Sequence, residues 1–100
     1  MTPDPKIINL RSKEYRIFIA GKECINAGPG CGGDVVAHHE SALGHKGMGT
    51  KVSDLCCVPL CVECHRIRHA NGPRLFWGDD LTWVAKRCIS FINEFLSEEF

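Results

Sequence analysis

VPLCVECHRIRHANG, residues 58–72, changes character at its fourth residue. Up to Cys61 it is a short apolar run that, with Leu55 before it, reads as a strand over Leu55–Leu60; Pro59 limits that strand to an edge or an end. From Cys61 onward VECHRIRHA is helix-compatible, and Asn71-Gly72-Pro73 stops it. Cys61 and Cys64 therefore stand as Cys-x2-Cys at a strand-to-helix junction, a spacing that lets two thiolates point at one tetrahedral ion. His65 and His69 stand four apart, so both imidazoles share one helical face, as metal binding by a helix requires.

One cysteine pair fills half of a tetrahedral shell. Upstream, CINAGPGCGG at 24–33 is a Gly- and Pro-rich turn region whose Cys24 and Cys31 supply the other half if the strands flanking the two knuckles pair. A closed four-thiolate site of Cys24, Cys31, Cys61 and Cys64 is a structural zinc design. A thioredoxin-like dithiol would need a βαβ surround, which this pattern lacks. Cys56, Cys57 and Cys88 read as small buried hydrophobes.

Between the knuckles, Asp34–His39 reads as the first strand, Val35 and Val36 leading into His38 and His39. Adjacent residues of a strand face opposite ways, so one of these two histidines joins His65 and His69 and the other is left for a second role. Three neutral imidazoles with open positions form a catalytic rather than a structural metal site. His45, in the glycine loop GHKGMGTKVSD at 44–54, reads as a surface residue.

One hundred residues suffice for one domain, expected over 1–100. Its core covers about 24–73. A helix over about 12–20 precedes it, with Ser12 as N-cap and the stripe Tyr15, Phe18, Ile19. Another over about 80–97 follows, capped by Asp79 or Asp80, with the core stripe Val84, Cys88, Phe91 and Phe95, widened by Trp83, Ile92 and Leu96. The Ile7, Ile8, Leu10 lead is expected on the surface. With 44% hydrophobic and 24% charged residues the composition is neither that of a disordered tail nor of a membrane span. No signal segment is evident, and seven cysteines, an odd count, with five histidines favour metal ligation over disulfides, so a cytoplasmic location is expected. Twelve cationic and twelve acidic groups cancel, but unevenly: residues 44–74 hold five cationic against two acidic groups, and residues 75–100 the reverse. A nucleic acid would thus be held by local contacts rather than by a net field.

VVAHHE, GHKGMGTKVSD and VPLCVECHRIRHANG together resemble the HNH endonucleases, also called His-Me finger or ββα-metal nucleases, in their zinc-stabilised phage and prophage branch. SKEYRIFIA at 12–20 resembles the helix that often precedes the first knuckle cysteine there. The resemblance implies a small α+β fold, a ββα-metal core with a four-cysteine zinc knuckle and flanking helices. It makes His39 the general base, His38 a metal ligand, and His65 and His69 the rest of the ligand set. Cys24, Cys31, Cys61 and Cys64 match the structural zinc knuckles, although the gap between Cys24 and Cys31 exceeds the usual two residues. The family's middle Asn is absent. Ser53 and Asp54 stand slightly earlier, and Asp54 could brace the loop through backbone N–H groups, accept from His39 Nδ1, or ligate the metal.

The function so implied is metal-dependent hydrolysis of DNA phosphodiesters in which His39 takes a proton from water, with Lys46, Lys51, Arg66, Arg68 and Arg74 as expected phosphate contacts. The catalytic ion is Mg²⁺, Mn²⁺, Ni²⁺ or Zn²⁺, imidazole ligands favouring the last three. DNA is the expected partner, and no membrane is involved. The alternative is a non-catalytic zinc module of phage or prophage origin that binds DNA or a recombination protein; a third reading is a phage-encoded adaptor that docks through its C-terminal helix.

Overall fold

The computed structural model describes residues 11–28, 30–43 and 53–99. Lys46, Lys51, His45 and the Ile7, Ile8, Leu10 lead lie outside the described residues.

Helix α1, Lys13–Ala20, starts where expected: Ser12 Oγ accepts the N–H of Tyr15 at 3.1 Å, satisfying a donor that the first turn leaves unpaired. Its Tyr15 and Ile19 are buried. Strand β1, Val35–His39, pairs antiparallel with β2, Cys57–Cys61, in a register running from Val35 opposite Cys61 to His39 opposite Cys57. Gly33 turns into β1 with φ 82°, and a Cβ there would lie 3.1 Å from Val62 Cβ, so both the backbone and the space favour glycine. All five β2 residues are buried, which explains a continuous apolar run in place of alternation.

The expected strand start at Leu55 is corrected. Asp54–Cys56 form a 3₁₀ turn, because Ser53 Oγ accepts from Leu55 N at 3.1 Å and Ser53 O accepts from Cys56 N at 3.0 Å. That turn drives Asp54 fully inside. Helix α2, Val62–Trp77, begins at Cys61 and breaks at Gly72 (φ 81°, ψ 167°), where the stop was expected, but it resumes from Pro73 to Trp77. Proline's fixed φ suits the first position of a helix, so the Gly-Pro pair ends one segment and starts the next.

Helix α3, Thr82–Glu99, is capped by Asp80, whose carboxylate accepts from Thr82 N at 2.9 Å. Val84, Cys88 and Phe91 are buried, whereas Trp83 and Leu96, expected to widen the stripe, are 40% and 46% exposed. A two-stranded sheet is a narrow seat, and only the central stripe of α3 finds cover. Val84 and Cys88 pack with Val58, Leu60, Trp77 and the knuckle cysteines, while Phe91 packs with Tyr15, Ile19 and Cys57. Edge-to-face contacts of Phe95 with Tyr15 and Phe18 join α3 to α1. The architecture is small α+β, with one antiparallel strand pair and three helices among the described residues. No described helix is long and apolar enough to cross a membrane.

Candidate functional site

Pairing of β1 with β2 brings the two knuckles together. The sulfurs of Cys24, Cys31, Cys61 and Cys64 all lie within 4.8 Å of one another, and Cys31 and Cys64 are 3.7 Å apart. Two thiolates bound at about 2.3 Å to one tetrahedral ion would be about 3.8 Å apart, so the donor set fits zinc in identity and spacing. Backbone N–H groups already face the sulfurs: Gly32 and Cys64 donate to Cys61 at 3.3 and 3.4 Å, and Gly28 to Cys31 at 3.5 Å. Burial by itself would raise the Cys61 thiol, but the N–H groups of Cys64 and Gly32 and then the thiols of Cys64 and Cys24 bring it down to about 6, while burial first pushes Cys64 up to about 12. The long Cys24–Cys31 gap is accommodated in a turn whose Ala27 N–H returns to Cys24 O and Cys31 N–H to Gly28 O.

His38, His65 and His69 form a second cluster, each offering a ring nitrogen within 4.8 Å of the others. The Nε2 atoms of His65 and His69 are 3.0 Å apart, and two nitrogens bound to one ion at about 2.1 Å would be about 3.0 to 3.4 Å apart. Burial first, then the charges of His38, His69 and Arg68, push His65 below the ordinary histidine value, favouring a neutral, lone-pair-bearing ring. Beneath His38 sits Glu40, fully buried, whose Oε1 is 3.2 Å from His38 Nε2. Arg68 grips both Glu40 oxygens at 2.7 and 2.6 Å, Trp77 Nε1 donates to Oε1, and Ala42 N to Oε2 at 3.1 Å. Burial would raise the Glu40 carboxyl, but Arg68, His38, Trp77 and Ala42 together hold it far below the usual carboxylate range. With Nε2–H donated to this carboxylate, His38 keeps its lone pair on Nδ1.

His39 faces the other side of β1, with Nε2 2.7 Å from Asp54 Oδ1. The nitrogen is Nε2, not the Nδ1 considered from sequence, because the 3₁₀ turn brings Asp54 up under the ring's far edge. Nδ1 is the nitrogen left for proton uptake. Asp54 also accepts from Ser12 N at 2.6 Å and lies 3.2 Å from Arg16 and 3.7 Å from Arg11. Burial would raise its carboxyl; the bonds from His39 and Ser12 and the charges of His39 and Arg16 lower it. Asp54 thus joins His39 to the backbone ahead of α1, through Ser12 N–H, and no backbone bond from it to the glycine loop is seen among the described residues. Cys57 approaches this pair, but burial and then Asp54's charge push its thiol up to about 12, and it packs with Tyr15, Ile19 and Phe91 as an uncharged core residue. His39 lines an open cavity of about 480 Å³ walled by α1 and β1.

The expected phosphate contacts separate. Arg68 is corrected: it is 6% exposed and its guanidinium is committed to Glu40, so it faces inward. Arg66 and Arg74 are exposed, paired with Glu63 and Asp79, each at 2.8 Å. Glu40 and Arg16 escaped the reading from sequence. Glu40 follows directly on the two histidines, and a carboxylate just past a strand that ends in a histidine pair was the available signal. Arg16 was hidden by the apolar stripe of its own helix.

No curated protein and no solved structure matches the chain. One family does, over residues 2–87, under the description "Protein of unknown function (DUF968)". A match of that extent covers α1, both knuckles, both histidine sites and the start of α3, and the chain therefore belongs to the DUF968 family.

Proposed function

We infer that this protein is a metal-dependent DNA endonuclease of the HNH, ββα-metal type, with a structural zinc held by Cys24, Cys31, Cys61 and Cys64. The observation that carries the reading is the divergence of two adjacent histidines: His38 joins His65 and His69, while His39 is held by a buried carboxylate beside an open cavity.

His38, His65 and His69 would hold the catalytic divalent ion, which supplies charge stabilisation at the phosphate and leaving oxygen when bound. His39 accepts a proton from the attacking water at Nδ1. Asp54 fixes the tautomer and steadies the imidazolium that results. Glu40 holds His38 in one orientation through Nε2. Thiolate ligands need a reducing compartment, which fits the cytoplasm.

Plasmid cleavage across Mg²⁺, Mn²⁺, Ni²⁺ and Zn²⁺, with His39→Ala as control, tests this. Nicking or linearisation by the parent and loss in the variant is expected. A zinc-loaded, folded parent that cuts nothing with any of the four ions would leave the non-catalytic zinc module as the reading.

A further inference from the structure

Arg68 and Trp77 belong to the same helix and meet on one atom. Arg68 Nε donates to Glu40 Oε1 at 2.7 Å, and Trp77 Nε1 donates to the same oxygen. Along an unbroken α-helix, residues nine apart point to opposite sides and lie about 13 Å apart on the axis, too far to share an acceptor. They share it here because α2 breaks at Gly72 (φ 81°, ψ 167°) and Pro73 starts the short segment that ends in Trp77.

Packing alone does not call for that donor. An apolar ring would serve the cluster in which Trp77 lies with Leu60 and Val84. Nor does charge, since Arg68 already gives the fully buried carboxylate a counter-ion through both oxygens. What the indole N–H adds is direction. A carboxylate oxygen offers about two lone-pair sites, and Oε1 receives Arg68, Trp77 and, at the longer 3.2 Å, His38 Nε2. Two segments of α2 therefore fix the oxygen against which His38 rests. His65 and His69 are set side by side by their own helix, whereas His38 reaches them from β1, so its ring is the one whose orientation needs an outside brace.

We propose that Trp77 is a positioning residue of the three-histidine metal site, acting through Glu40 on the ring of His38. The proposal rests on the metal site of the nuclease reading and adds that ion affinity there is set from beyond the break in α2. The Gly72-Pro73 pair is then part of the site's construction, because it turns the chain back so that Trp77 meets Glu40.

Co²⁺ added to the zinc-loaded protein is the probe, its visible d–d absorption reporting affinity and ligand geometry together. Trp77→Phe keeps an aromatic ring and removes the N–H; it should weaken Co²⁺ roughly tenfold with the knuckle zinc retained. Trp83→Phe is the control. Trp83 packs edge-on to Trp77 with ring centroids 5.6 Å apart, but its N–H goes to Trp77 O at 3.3 Å and not to Glu40, so this variant should bind Co²⁺ as the parent does. A second measurement needs no change at Trp77. In isotope-labelled parent the Trp77 indole N–H resonance, identified as the one that remains in Trp83→Phe, should move as Zn²⁺ fills the three-histidine site. Parent-like Co²⁺ affinity in a folded Trp77→Phe protein, or an indole resonance that stands still while the ion binds, would overturn the proposal. A parent that binds Co²⁺ no better than His69→Ala would overturn both the proposal and the metal site beneath it. Trp77-dependent Co²⁺ binding by a protein that cuts no DNA keeps the proposal and removes the nuclease.

Discussion

His38 and His39 are neighbours whose rings live in different surroundings: one is 4% exposed above Glu40, the other partly open beside Asp54 and a cavity. Their substitution should therefore have different consequences. His39→Ala is expected to keep the fold, the structural zinc and binding of the catalytic ion while slowing cleavage by roughly 10²- to 10⁴-fold. His38→Ala should weaken that ion, with partial rescue at high metal concentration. Isotherms for the ion, measured beside cleavage time courses, decide the assignment, and an exchange of the two phenotypes would exchange the roles. A second prediction concerns Arg68. Its removal strands the Glu40 carboxylate without a counter-ion in the core, and Arg68→Ala should cost about 3–5 kcal/mol in urea unfolding. The two buried carboxylates also set the acid response. Glu40 and Asp54 both titrate below their ordinary values in the folded chain. Their contribution is thus whole above the unfolded carboxylate range of about 4 and is lost progressively as pH falls from there through their lower folded values. Asp54→Asn should flatten the decline in stability between about pH 5 and about pH 3 relative to the parent; an unchanged slope would show that Asp54 carries no such linkage.

At the scale of elements, the features written in local chemistry were legible and those made by chain reversal were not. Ser12 before Lys13–Ala20, the Val35-Val36 pair and the Cys61 junction each announce their element through a cap, β-branching or a ligand spacing. The cysteine and histidine clusters were legible for the same reason, since metal-ligand spacing is local. The 3₁₀ turn at Asp54–Cys56 was not, because it depends on Ser53 outcompeting strand pairing. Nor was the fate of Arg68: helical periodicity says which face a residue occupies, and only the arrival of Glu40, 28 residues upstream, makes that face an interior one. The continuation of α2 past Gly72 belongs here as well, because Trp77 is carried by it onto Glu40 and into the core beside Val84. Gly72 holds φ 81°, where an L side chain is strained although nothing lies within 4 Å of its Cβ position. Gly72→Ala should therefore destabilise by about 1 kcal/mol through backbone strain alone. Tryptophan fluorescence should shift with it if the Pro73–Trp77 segment is displaced; a variant as stable as the parent would mean that the break is not required.

For the whole molecule, the question is what makes the two strands and three helices of the described residues fold cooperatively. Cys24, Cys61 and Cys64 are members of the same buried cluster as Val58, Leu60, Trp77, Val84 and Cys88, while Cys31 is exposed, so the four-cysteine cluster reaches from the core to the surface. Its cysteines come from the turn after α1, the end of β2 and the start of α2, segments that backbone bonds also join, Ile25 N–H to Pro59 O at 2.8 Å and Glu63 N–H to Gly32 O at 3.2 Å. The zinc proposed there would act as folding free energy, since the unfolded chain holds no such site. Cys61→Ala should then lose cooperative unfolding and zinc together. Cys88→Ala is the matched control: it removes a sulfur from the same cluster, outside the ligand set, and should cost about 1 kcal/mol with zinc retained. Chelation of the parent should reproduce the Cys61→Ala state, and restored zinc should refold the chelated parent but not the variant. A zinc-free Cys61→Ala protein that still unfolds in one sharp transition would mean that apolar packing between α3 and the sheet suffices by itself, and the structural role of the metal would have to be given up.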